Sequence, residues 1–71
     1  MSITKRKPGE RVTEARYGRG LTQHQLADRV RTSRSTIARI EAGVHSPSVD
    51  LALAISRELG ESVEALFGGD R

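Results

Sequence analysis

The chain has no cysteine and no tryptophan, and only one tyrosine, one phenylalanine and two prolines. Without cysteine it can form no disulfide and offers no thiolate, so a small fold must hold by packing alone, which fits a reducing compartment. Tyr17 and Phe67 are its only six-membered rings. Two isolated rings make no series of stacking platforms, which disfavours single-stranded nucleic acid as a ligand. No apolar run approaches the roughly 20 residues of a membrane-spanning helix, and the opening MSITKRKPG lacks the apolar core of a secretory signal. These absences predict a soluble cytoplasmic protein with no membrane partner. His24 and His45 have no cysteine to complete a metal site. No nucleophile, metal cluster or carboxylate pair stands out either, so neither an enzyme nor a cofactor is expected.

What the chain does have is charge, unevenly placed. Twelve Lys and Arg against nine Asp and Glu give a net charge of +3. Residues 1–45 hold ten of the bases and four of the acids, a balance of +6, whereas residues 46–71 hold two bases and five acids, a balance of −3. One half suits a polyanion and the other suits something else, another subunit for example. Seventy-one residues make one small domain, whose single core supplies only about 3–5 kcal/mol. With no sensor domain visible at this length, regulation is expected from the protein's own concentration or from a partner.

Punctuation and periodicity predict helices only. Residues 1–7 read as a polar, basic arm, 8–67 as the folded domain and 68–71 as a tail. Pro8 suits the first turn of a helix running to about Arg19, with Val12, Ala15 and Arg16 on one face and Gly18 and Gly20 ending it. A second helix is predicted over 23–30 and a third over 34–42. A fourth starts after Ser48, with Asp50 in its first turn and Val49, Ala52, Leu53, Ile55, Ser56 and Leu59 inward, and stops at Gly60. Leu51 falls off that stripe, as an exposed apolar residue. Ser62 caps a short fifth helix containing Val63, Leu66 and Phe67.

The run QHQLADRVRTSRSTIARIEA, residues 23–42, is the most informative part. Two short helical patterns meet there at a three-residue break. Leu26, Ala27 and Val30 share a face of the first, and Ile37, Ile40 and Glu41 share a face of the second. Thr22 with Gln25 makes a T-x-x-Q capping box, Ser33 is a good N-cap, and Gly43 can close the second helix. The second helix leaves Arg34, Ser35, Ala38, Arg39 and Ala42 exposed, a basic, polar and small face of the kind that enters a DNA major groove.

The stretch GLTQHQLADRVRTSRSTIARIEAGVHSPSVDLALAISRELGESVEALF resembles the lambda-repressor and Cro-type, or XRE, helix-turn-helix family over about residues 12–67. The resemblance rests on LTQ at 21–23, Leu26 with Ala27, STIARIEAG at 35–43, and Pro47, Leu59 and Leu66. One departure is clear: the turn between the two helices usually holds Gly, and here it holds Arg31.

The resemblance implies an all-α, five-helix lambda-repressor-like domain with its helix-turn-helix at helices 2 and 3. It places base contacts on the exposed positions of helix 3: Arg34, Ser35 and Arg39. Gln23 matches a family position that touches the DNA backbone, where a helix N-terminus favours a phosphate. Thr22, Ser33, Thr36, His45 and Ser46 are further candidates for phosphate. The family often pairs an Arg of helix 1 with a Glu of helix 3, here Arg16 with Glu41. Leu66 and Phe67, with Leu51 secondary, are candidate subunit contacts. The implied protein is a homodimeric regulator of transcription on a palindromic double-stranded operator, associated with the nucleoid when bound. An alternative is an antitoxin-like module, which binds a second protein through its acidic half and autoregulates through its basic one.

Overall fold

Hydroxyl side chains start four of the five helices in the computed structural model, which describes residues 9–68. Thr22 precedes α2 (Gln23–Arg29), Ser33 precedes α3 (Arg34–Glu41), Ser48 precedes α4 (Val49–Leu59) and Ser62 precedes α5 (Val63–Phe67). Each hydroxyl oxygen accepts from the backbone N–H three residues on, and so satisfies a donor that the helix start leaves open. At Thr22 the box is reciprocal, because its own N–H donates to Gln25 Oε1 at 2.9 Å. The remaining helix, α1 (Glu10–Gly18), begins after Gly9 without a side-chain cap. The arm expected over 1–7, Pro8, and the tail beyond Gly68 lie outside the described residues. Among the described residues there is no strand; the architecture is all-α, as read.

Gly9 does something that the pattern of residues does not announce. Its φ is +97°, and a Cβ there would overlap the carbonyl oxygen of Ile40 and lie 2.7 Å from that of Glu41. The start of α1 therefore lies directly against the C-terminal end of α3. Only a residue without a side chain permits that approach.

Four of the five helices are followed by a left-handed residue, and in three of them it is glycine. Gly20, Gly43 and Gly60 follow α1, α3 and α4 at positive φ, and α2 is followed by Arg31 at φ 62°. Thr32 N–H donates to Ala27 O at 2.9 Å and Arg31 N–H to Asp28 O at 3.3 Å, the paired bonds of a Schellman ending. Arg31 thus occupies a left-handed position at a cost of about 1–2 kcal/mol. Arg31→Gly is expected to raise stability by roughly 1 kcal/mol, since the greater freedom of unfolded glycine offsets part of the gain. At this size that lifts the melting temperature by about 4–8 °C. An unchanged or lowered midpoint would show the turn to be unstrained.

Val12, Leu26, Ala27, Val30, Ile37, Ile40, Ile55, Leu59 and Leu66 form one buried cluster, drawn from all five helices. α2 and α3 pack most extensively on each other. Two expectations for α4 are corrected. Val49 is 76% exposed and Leu53 40% exposed, whereas Leu51 is half-buried against the core. Ala52, Ile55 and Leu59 set the inward direction, and 100° per residue puts Leu51 beside Ile55 and Leu53 nearly opposite. A third correction concerns Leu66. It is 4% exposed inside the core, so it offers almost no surface to a second subunit, and Phe67 is half-buried beside it.

Candidate nucleic-acid interface

The inward face of α3 is anchored by Ile37 and Ile40, both buried, and this fixes what the helix presents outward. Ser35, Arg39 and Ala42 project opposite Ile37 and are exposed, and Arg34 is exposed at the first turn. Arg31, in the turn, is exposed as well. None of these three arginines forms an ion pair with another described residue. At the start of the helix Ser33 Oγ lies 2.9 Å from Thr36 Oγ1 and 3.2 Å from Ser35 Oγ, so three hydroxyls cluster beside the free backbone donors. The result is a protruding helix face with positive charge and hydroxyl donors, and with no acidic group on it to repel an anion.

Behind this face lies a buried polar network. Arg16 Nε donates to Glu41 Oε2 at 2.6 Å and Nη2 to Glu41 Oε1 at 3.0 Å, a two-pronged pair with both side chains only 6% exposed. Arg16 Nη1 donates to Leu21 O at 2.7 Å, and the Tyr17 ring lies over the guanidinium at 4.6 Å. Gln23 Nε2 donates to Glu41 Oε1 at 3.0 Å. One network thus ties α1, the α1–α2 loop, the first residue of α2 and the last of α3. Burial on its own would raise the Glu41 carboxyl, but hydrogen bonds from Arg16, Gln23 and Thr13, with the charge of Arg16, outweigh it and hold the group below its ordinary value. The hydrogen bond to Glu41 leads in raising the Arg16 guanidinium above its ordinary value.

Comparison with known proteins decides what this arrangement is. Residues 13–66 match the helix-turn-helix family model. An uncharacterized HTH-type transcriptional regulator of Methanothermobacter thermautotrophicus is 47% identical over 57 residues, covering 79% of this chain and 83% of that one. The chain belongs to the helix-turn-helix family.

That membership makes the chain a DNA-binding regulator of transcription rather than an enzyme. The immunity repressor of Bacillus phage phi105 is 40% identical over 60 residues, covering 84% of this chain and 42% of the repressor. The fold superposes on the P22 c2 repressor bound to a synthetic operator with a TM-score of 0.85 at 29% identity, over 92% of this chain and 98% of that one. In helix-turn-helix terms α2 is the supporting helix and α3 the second helix of the motif.

The helix-turn-helix frame shows which expected residues converge. Arg34, Ser35, Arg39, Ser33 and Thr36 come together on α3, and Thr22 and Gln23 lie at the start of α2. His45 and Ser46 are exposed in the loop between α3 and α4. Gln23 is less free than its place suggested, because Glu41 takes one of its amide protons and leaves the second. Several bases of the positive half are engaged by partners within the fold, though Arg19 and Arg29 remain exposed. Arg11 Nη1 donates to Ala65 O at 3.0 Å and Arg19 Nε to Leu59 O at 3.2 Å, so one arginine of α1 and the one that follows its last residue bind carbonyls near the ends of α5 and α4. Arg29 Nη1 pairs with Glu58 at 3.3 Å across α2 and α4. Sequence counting could not separate these from Arg34 and Arg39; only the tertiary partner does.

The network predicts an acid-sensitive fold. Glu41 is held below its ordinary value when folded, so its contribution is full above the unfolded value near 4.5 and is lost as the pH falls through the lower folded one. Unfolding measured across pH should fall more steeply below about pH 4.5 for the wild type than for Glu41→Gln. Parallel profiles would contradict the assigned role.

Proposed function

We propose that this chain is a sequence-specific, double-stranded DNA-binding repressor or autoregulator, which acts as a homodimer with α3 in the major groove. The observation that carries this reading is the exposed face of α3, where Arg34, Ser35 and Arg39 stand with no ion pair to another described residue, on a helix whose other face is locked into the core. Arg34 at the first turn can reach guanine O6 and N7 with two parallel donors, and Arg39 and Ser35 contribute to the same readout. Thr22, Ser33 and Thr36 hold hydroxyl donors at the two helix starts, while the second amide proton of Gln23 and the loop residues His45 and Ser46 extend the phosphate-facing rim. Thr22 caps and binds at once, since its oxygen accepts from the backbone and its hydroxyl proton remains to donate, while Ser33 caps and shares its hydroxyl with Ser35 and Thr36. The similarity to a repressor solved on its operator supports this reading.

The site is expected to be palindromic, with half-sites about 34 Å apart, one turn of DNA. Arg34→Ala should weaken the preferred site by roughly 1–3 kcal/mol and relax preference at a single base pair. Titration against that site and all its single-base variants checks this. A uniformly weakened but otherwise unchanged profile would move Arg34 from base reading to phosphate binding.

A further inference from the structure

The outward face of α4 carries Val49, Asp50, Leu53 and Arg57, all exposed. Neither Asp50 nor Arg57 forms an ion pair with another described residue. Seven residues apart, they are about 10.5 Å distant along the helix, too far to meet one another. Their spacing around Leu53 is what matters. Asp50 stands three residues before Leu53 and Arg57 four after it, about 4.5 and 6 Å along the axis.

We propose that this face is the surface on which two copies of the chain meet, α4 antiparallel to α4 with Leu53 on the two-fold axis. The inference rests on the homodimer reading and names its interface. Antiparallel pairing brings Asp50 of each copy level with the partner's Arg57 to within about 1.5 Å along the axis, so the face complements itself in charge. Each Arg57 stem then lies over the partner's Val49, and its guanidinium reaches the carboxylate of the partner's Asp50. Val49 and Leu53, exposed and apolar in a single copy, are covered in the pair. No parallel arrangement does this, because it sets Asp50 against Asp50 and Arg57 against Arg57.

An 11-residue helix is about 16.5 Å long. Such a contact falls well short of the about 800 Å² per partner that a stable free dimer buries. The pair therefore forms weakly in solution and strongly when neighbouring half-sites raise the effective concentration. Cooperative binding to a full site follows from this weakness.

The absence of cysteine makes the contact directly readable. Leu53→Cys should oxidise to a disulfide-linked dimer at high concentration without DNA, and at far lower concentration on a full-site duplex. Glu61→Cys, exposed beyond the helix end and more than about 20 Å from its copy in this arrangement, should not. Asp50→Arg and Arg57→Asp should each lower cooperativity on the full site about tenfold, and mixing the two variants should restore it. Circular dichroism confirms that each is folded, and the cysteine variant reads the contact even where a charge reversal harms the helix. Equal cross-linking at both positions, none at position 53, or charge variants that pair like the wild type would overturn the proposal. The DNA-free arm keeps that outcome separate from a failure to bind DNA.

Discussion

Arg16→Ala is expected to cost about 3–5 kcal/mol of folding stability, because it leaves the Glu41 carboxylate buried and without its main partner. For a domain of this size that approaches the whole. The loss has three parts that the structure separates: the two-pronged bond to Glu41, the bond to Leu21 O, and the stacking of Tyr17 on the guanidinium. A buried ion pair is weak evidence of net stabilisation, since removing two charges from water costs nearly what the pair returns. Breaking it from one side is a different matter, because the remaining charge is desolvated for nothing. Arg16→Ala combined with Glu41→Ala should therefore be less harmful than the two single losses added together. Denaturant unfolding of the four proteins checks this. Additive losses would mean that the two residues act separately. The consequence would reach function as well, since Glu41 also orients Gln23 at the start of α2.

The second large effect is expected at Gly9. Gly9→Ala should destabilise by about 2–5 kcal/mol, of which about 1–2 is the left-handed backbone and about 1–3 the overlap with α3. The obstacle is backbone on both sides, the carbonyls of Ile40 and Glu41, so no side-chain rotation relieves it. Gly20→Ala is the control. Gly20 also has positive φ, 71°, but a Cβ there meets nothing, so only the backbone part is lost. The difference between the two denaturation midpoints isolates the packing of α1 on the end of α3. Equal losses would show that Gly9 is needed for its φ alone.

The helix starts were legible because they are local: Thr22, Ser33, Ser48 and Ser62 each need only the backbone three residues ahead. The break between α2 and α3 was legible for the same reason. Arg16 with Glu41 came from family resemblance, and the geometry shows why such a pair binds α1 to α3. The phase of α4 is not legible in its sequence. Val49, Leu51, Ala52, Leu53, Ala54 and Ile55 are apolar around most of the helix, so periodicity alone does not choose a face and packing against α2 and α5 does. Gly9 was missed because a glycine needed for close approach looks, in sequence, like any glycine at a helix start. The roles of Arg11 and Arg19 were hidden because each bonds a carbonyl at least 40 residues away.

Selection of bound duplexes from a random library, run on the wild-type chain and on Arg34→Ala in parallel, tests the central claim most directly. The account predicts enrichment of a two-fold symmetric sequence with half-sites about one helical turn apart. It predicts that the variant loses preference at one symmetric pair of positions. A wild-type pool with no enriched sequence, or one identical to that of the variant, would contradict the reading of DNA by α3.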